Sequence, residues 1–163
     1  FFFTQSDSDL INRPVELSDH VIPSSNSVMA QNLHQLGAYF SLPHYISMSE
    51  RLLTAVEKSL IEYPEGYGNW ADLLLQKALG SPEVVIIGQE AQLFYAKLKP
   101  ELSNFIIAVC DKDSTLPIFA ARFASDKTLI YFFQNQSCLK PVETVDAAQL
   151  EITTRLTEKL ENL

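Results

Sequence analysis

The sequence predicts two segments of different class, a helical one over residues 1–82 and a small α/β one over residues 83–163. In the first segment, apolar residues recur at helical spacing. From Glu83 the period changes, because short β-branched runs follow that are typical of buried strands. A helix predicted between the first two strands makes their connection a parallel crossover. We therefore expect a three-stranded, mainly parallel sheet with flanking helices.

The first predicted helix follows a polar, loop-like stretch that ends at Pro23. It begins after Ser24 or Ser25, because either hydroxyl can accept a hydrogen bond from the free N–H groups of a first helical turn. Its apolar face is predicted from four residues at helical spacing, Met29, Leu33, Leu36 and Phe40. We therefore expect this face of the helix to be the buried one.

Two further helices are predicted before residue 83. The pattern Ser47-x-x-Glu50 is a capping box and places the start of the second helix there, while Pro64 ends it. The third helix follows with Asn69 as its candidate cap. Gly80 is its expected stop, since glycine readily adopts the left-handed conformation found after helices. The buried stripe of the second helix is predicted from Leu52, Leu53, Val56, Leu60 and Ile61.

The α/β segment contains three predicted strands and two predicted helices. Each strand is a short apolar run, and each helix lies between turn signals. The stretch Leu116–Phe123 fits neither periodicity. The strands are predicted over Glu83–Ile87, Phe105–Cys110 and Thr128–Phe133, and the helices over Ala91–Lys99 and Asp146–Asn162.

The composition excludes several classes of function. The chain has 163 residues and a net charge of −8, and its 12 Lys and Arg residues form no cluster. Neither a nucleic acid nor a membrane surface is therefore expected as a partner. The longest apolar runs are too short to span a bilayer. The chain opens on Phe1-Phe2-Phe3 without a methionine, which indicates a piece of a longer protein and leaves the compartment open.

Three motifs, in their order along the chain, resemble those of a known family. The first comprises Arg13-Pro14, Asp19, Ile22-Pro23-Ser24 and Asn26-Ser27. The second is the run Glu83–Gly88, and the third comprises Tyr131, Asn135, Cys138, Pro141 and Val142. Together they resemble the C-terminal part of the thioredoxin-domain-containing proteins of unknown function. That family includes the spermatogenesis-associated thioredoxin-like proteins.

The resemblance implies a long protein in which a thioredoxin-like domain accompanies an α/α toroid similar to those of N-acylglucosamine 2-epimerases. Residues 1–82 would then be the end of the toroid. The implied partners are the thioredoxin-like domain and the remaining toroid helices. Without them, we expect the chain to self-associate through its helical half together with Phe1–Phe3. Two positions depart from the family pattern: Phe133 stands where the family has a cysteine, and Ser25 where it has glycine.

The candidate binding residues lie on the loop before the first helix and in its first turn. The toroid likeness implies that Asp19, His20, Asn26 and Ser27 face a central cavity. There the Asp19 carboxylate could accept sugar hydroxyls, and the Asn26 amide could both donate and accept. The alternative is structural: Asn26 and Ser27 cap the helix while Asp19 fixes the loop. No catalytic residue is assigned, and no metal and no cofactor is expected.

Three functions remain open at this point. The favoured one is the C-terminal structural and interaction portion of a larger protein, not catalytic alone, because a toroid site would need residues from absent helices. The first alternative is part of a carbohydrate-processing, epimerase-like or isomerase-like site around Asp19 and Asn26. The second is a thiol redox accessory through Cys138, which lies in a polar stretch near Lys140. We expect Cys138 and Cys110 to be unpaired.

Overall fold

The computed structural model describes residues 14–134 and 137–160, without the side chains of residues 134, 156 and 158–160. The expectations placed on Phe1–Phe3, Arg13 and Asn135, and the predicted end of the last helix at Asn162, lie outside these residues. Described residues up to Ala38, together with Leu42–Leu74, form one compact unit. Tyr39–Ser41 and the described residues from Leu75 onward form a second.

The described residues form five α-helices and four strands. Their ranges agree with the predicted positions to within a few residues, apart from the start of the second helix and the unpredicted fourth strand. The helices are α1 (Ser25–Tyr39), α2 (Pro43–Glu62), α3 (Gly68–Ala78), α4 (Ala91–Leu98) and α5 (Val145–Leu160), and the strands are β1 (Glu83–Ile87), β2 (Ile106–Cys110), β3 (Leu129–Gln134) and β4 (Ser137–Cys138). None of these helices is both long enough and apolar enough to cross a membrane.

The start of α2 differs from the prediction. The helix begins at Pro43, four residues before the expected capping box at Ser47, and no side chain caps its first turn. Proline suits this position, because its fixed φ angle is helical and the N–H that it lacks would have no partner there. Leu53, Val56 and Leu60 are buried as expected, whereas Ile61 is exposed.

The buried face of α1 is not the one that the spacing of large apolar residues predicts. Leu33 is buried, but Met29, Leu36 and Phe40 are each about 40% exposed. The buried side instead carries small or polar residues, which allow a neighbouring helix to come close: Asn26, Ser27, Ala30, Leu33, His34 and Gly37. A Cβ atom at Gly37 would lie 2.5 Å from the Ile46 side chain, and the Ser49 hydroxyl of α2 donates to the Ala30 carbonyl at 2.7 Å. Close approach, rather than side-chain size, therefore decides which face is buried.

The core of the first unit lies between α2, α3 and the middle of α1. Trp70 is fully buried at its centre, and its indole N–H donates to the Leu17 carbonyl at 2.7 Å. Burial of this aromatic side chain with its one polar atom satisfied fixes the loop before α1 against α3. The cluster consists of Ala30, Leu53, Val56, Leu60, Trp70 and Leu73.

The sheet of the second unit is four-stranded and mixed, so the prediction of three mainly parallel strands is wrong. The strand order is β2-β1-β3-β4. The pair β1–β2 is parallel, as the intervening α4 requires, but β1–β3 and β3–β4 are antiparallel. No helix intervenes between β2 and β3, so the second crossover expected of a parallel sheet is absent there. Strand β4 has two residues, too few for an alternating pattern to show in the sequence.

The two faces of this sheet are covered differently. On one face, Val84, Ile86 and Phe132 pack with side chains of α4 and α5 in a single apolar cluster. On the other, Val85, Ile87 and Ala108 pack with Ile118 and Phe119. The segment whose periodicity fitted neither pattern, Leu116–Phe123, thus covers the sheet without forming a helix or a strand.

Candidate functional site

The sequence-predicted Asp19 is buried, with 8% of its surface exposed. Its Oδ1 accepts hydrogen bonds from the Ser24 N–H at 2.8 Å and the Ser27 hydroxyl at 2.7 Å. Its Oδ2 accepts one from the Asn69 N–H at 2.9 Å. Ser24 directly precedes α1, and Asn69 is the second residue of α3. One carboxylate therefore occupies two helix N-termini, where free N–H groups and the helix dipole both favour negative charge.

Of the other predicted residues, Ser27 belongs to the same cluster, and Asn26 lies beside it in the first turn of α1. The Asn26 side chain, 1% exposed, donates to the Glu16 carbonyl at 2.8 Å. The Ser24 hydroxyl accepts from the Ser27 N–H at 3.1 Å, which is the N-cap contact expected of that serine. We call Asp19, Ser24, Ser27 and Asn69 the Asp19 tie. Asn69 was expected only as a cap of its own helix; its place in the tie, where its side-chain amide also donates to the Ser27 hydroxyl at 3.0 Å, was missed.

His20 does not join the tie. Its ring is exposed, and its Nε2 lies 3.3 Å from the Ser18 hydroxyl. Asp19 and His20 are adjacent in sequence, but one side chain is enclosed and the other is in solvent. The structure therefore joins Asp19 to Ser27, directs the Asn26 amide to the Glu16 carbonyl, and leaves His20 outside.

The two cysteines lie at opposite edges of the sheet. Cys110 ends β2 and Cys138 ends β4, with β1 and β3 between these strands. At about 4.8 Å per strand, their backbones are separated by at least roughly 14 Å across the sheet, twice the reach of a disulfide. Both thiols are free, and Cys138 is exposed. A redox role for Cys138 would therefore need a thiol other than Cys110.

A second site, missed in the sequence, lies within the second unit at the edge strand β2. Here a shallow groove has a volume of about 310 Å³. The Tyr39 hydroxyl donates to the Ile107 carbonyl at 3.0 Å across one side of it. Burial, and secondarily the Glu83 carboxylate, raise the pKa of Tyr39, so the hydroxyl keeps its proton. The groove is lined by Tyr39, Phe40, Ile107, Ala108, Val109, Leu116, Ile118 and Phe119.

Glu83 and Arg122 are two charged residues that act on the walls of this groove. Burial raises the pKa of Glu83, and the Arg122 guanidinium opposes that rise. The Arg122 side chain donates to the carbonyls of Pro117 and Ile118 and lies over the Phe133 ring at 4.9 Å. These contacts hold the segment 117–122 against the sheet and so form one wall of the groove.

Likeness to other proteins adds nothing to this geometry. Comparison of the chain with protein-family models, with curated proteins and with solved structures finds no match in any of the three. Within the described residues, no three His, Cys, Asp or Glu side chains converge as a metal site would require. The function must therefore follow from the hydrogen bonds of the Asp19 tie and from the exposed surfaces.

Proposed function

We propose that the chain is a structural and interaction module of a larger protein and is not catalytic alone. The observation that carries this proposal is the saturation of the buried Asp19 carboxylate by three donors from its own chain. In keeping with the motif resemblance, the larger protein would combine a thioredoxin-like domain with an epimerase-like α/α toroid. The first unit would then supply the last toroid helices.

The hydrogen-bond energies favour a structural role for Asp19 and Asn26 over a sugar-binding site. To accept a sugar hydroxyl, the Asp19 carboxylate would have to release one of its present donors. Each hydrogen bond to a charged group contributes about 1.5–3 kcal/mol, and the neutral hydroxyl that replaced it would gain no more. The released N–H would then be left unsatisfied at a helix terminus. The enclosed positions of Asn26 and Ser27 also leave them no solvent-facing surface.

The exposed apolar side chains of the first unit indicate where partners would bind. Val21 is fully exposed, and Ile22 is 73% exposed in the loop before α1. Met29 and Leu36 on α1 are exposed by 40% each. Met29 and Leu36 are about two helical turns apart and so share one side of α1, and apolar side chains grouped on an exposed surface mark interaction sites. The proposed partners are the thioredoxin-like domain and further toroid helices, or, without them, a second copy of the chain.

The experiment that tests this function is an assay of the chain with free hexoses and N-acylhexosamines. We expect no epimerase or isomerase turnover and no saturable binding by calorimetry. His20→Ala tests the same site without touching the Asp19 tie, because His20 is exposed. Turnover or binding that is lost in His20→Ala, or in Asp19→Asn at a temperature where that variant is folded, would establish the carbohydrate function instead.

A further inference from the structure

The outer edge of β2 presents backbone groups in a defined order. The Ile106 N–H donates to the Pro82 carbonyl at 2.9 Å, and the Cys110 carbonyl accepts from the Gly88 N–H at 3.0 Å. These two residues therefore turn their backbone groups toward β1. Successive residues of a strand alternate, so Ile107 and Val109 turn theirs outward. The hydrogen bond that the Tyr39 hydroxyl donates to the Ile107 carbonyl shows that this carbonyl points away from β1.

Most of these outward groups are available to a ligand. In the described part of the chain, no residue bonds to the Val109 N–H, the Val109 carbonyl or the Ile107 N–H. Natural edge strands are commonly protected from pairing by lysine, proline or a bulge. The sequence of β2, I-I-A-V-C, has no charge and no proline. No strand among the described residues pairs with this neutral β-branched edge, which can therefore take another extended chain.

The shape of the groove indicates an extended segment rather than a second copy of this protein. Two-fold contacts require a surface that is complementary to itself, and two concave surfaces cannot fill each other. A single extended strand can enter a groove, pair with the edge and place alternate side chains on the apolar walls. The walls at Phe40, Leu116 and Phe119 are apolar, so the side chains that they accept are apolar too.

The charged residues that follow β2, together with the net charge of the chain, indicate whether a basic or an acidic peptide segment would bind. Asp111 and Asp113, within three residues of the end of β2, are both exposed, with Lys112 between them. The positive charge of Arg122 beside the groove is opposed by the neighbouring Glu83. The whole chain carries a net charge of −8. Complementary charge speeds association and suppresses partners of like charge. A segment with basic residues is therefore preferred over an acidic one.

We propose that the β2 edge binds an extended, positively charged peptide segment with alternating apolar side chains, as an added strand. This site rests on the proposed role as an interaction module and supplies a partner class for it. The peptide would bond to the Val109 N–H and carbonyl and to the Ile107 N–H. Its apolar side chains would occupy the groove between Tyr39, Phe40 and the segment 116–119.

The test is a titration of the full chain, followed by nuclear magnetic resonance, with a designed probe. The probe is a blocked heptapeptide of alternating valine and threonine with a lysine at each end. The amide signals of Ile107 and Val109 should shift and exchange with solvent at least about tenfold more slowly, which corresponds to most sites being occupied. An analogue with N-methyl groups at alternate positions, which lacks the pairing donors, should bind at least about tenfold more weakly.

Two variants separate pairing from simple apolar contact. Tyr39→Phe frees the Ile107 carbonyl and keeps the ring, so the probe should bind equally or up to about fivefold more tightly. Val109→Pro removes an outward donor and should weaken binding about tenfold or more. Tyr95→Phe on α4 is the matched control for loss of a tyrosine hydroxyl and should change nothing.

Three outcomes would overturn the added-strand site. They are the absence of probe binding to both the wild-type chain and Tyr39→Phe, equal binding of the N-methylated analogue, and a preference for a probe with glutamate at each end. A wild-type chain that forms dimers protecting Ile107 and Val109 would also overturn it, in favour of a second copy as the occupant. Each of these results would leave the absence of sugar turnover standing, whereas sugar turnover would contradict the proposed function without touching this site.

Discussion

Replacing the Asp19 carboxylate by an amide should destabilise the first unit strongly. In Asp19→Asn, the remaining oxygen can still accept from Ser24 and Ser27, but the new NH₂ group faces the Asn69 N–H, donor against donor. Leaving a buried donor unsatisfied costs about 1–3 kcal/mol, and the two remaining bonds each weaken as the acceptor loses its charge. We therefore expect the free energy of unfolding of Asp19→Asn to be lower than that of the wild type by about 3 kcal/mol. Asp19→Ala, which leaves all three donors unpaired, should lose about 4–5 kcal/mol.

The assay is urea unfolding followed by the fluorescence of Trp70. This is the chain's one tryptophan and lies in the core of the first unit, so its signal reports on the unit that holds the tie. Asp72→Asn is the matched control, because it removes the same charge from an exposed position of α3. Its effect should stay within about 0.5 kcal/mol. If Asp19→Asn behaves like Asp72→Asn, the tie does not hold the unit together and the structural reading of Asp19 is wrong.

Three further predictions concern the helices and the sheet. Leu33→Ala should lower the free energy of unfolding by about 3 kcal/mol and Leu36→Ala by less than about 1 kcal/mol, because Leu33 is buried and Leu36 is 40% exposed. Urea unfolding followed by Trp70 fluorescence measures both, and similar losses would contradict the assignment of the buried face of α1. Gly88→Ala should lower the free energy of unfolding by about 3 kcal/mol or more, because the φ angle of Gly88 is +134° and an added Cβ would lie 2.6 Å from the Thr128 backbone. Hydrogen exchange of the β1 amides measures the loss. Gly68→Ala, whose Cβ would meet open space, is the control, and an equally small effect of both variants would refute the prediction. Burial raises the pKa of Glu83 above its ordinary 4.5, so its contribution to stability is fully present below pH 4.5 and is lost as the pH rises through its folded pKa. Glu83→Gln should therefore gain stability relative to wild type between pH 4 and pH 7 in thermal melts, and a constant difference would contradict the burial effect.

The positions of the elements could be predicted from the sequence because local signals fix them. Gly80 and Pro82 end α3, and the β-branched run of β1 marks the change of period. Ser24 or Ser25 was predicted as the cap of α1, and the Ser24 hydroxyl does accept from the first turn. Each of these features depends on neighbours a few residues apart. Such neighbours are the ones that periodicity and capping rules describe.

The features that could not be predicted depend on residues far apart in sequence. The Asp19 tie joins a loop to Asn69, 50 residues later, and no local pattern records that contact. The buried face of α1 is chosen by close helix contact at Ala30 and Gly37, where small residues matter more than large apolar ones. The antiparallel pairing of β3 depends on the path of the irregular segment before it. The groove beside β2 depends on the same segment.

Amide hydrogen exchange at Ser24 and Asn69 tests most directly whether Asp19 is an internal tie or an open ligand site. Both N–H groups donate to the Asp19 carboxylate, and no α-helical bond would otherwise occupy them at the helix N-termini. We predict that in the ligand-free chain both amides exchange at least about a hundredfold more slowly than an unstructured amide, and that hexoses or N-acylhexosamines leave both rates unchanged. Exchange at unstructured rates in the free chain, or protection that appears only when a sugar is added, would contradict the claim that Asp19 has a structural role.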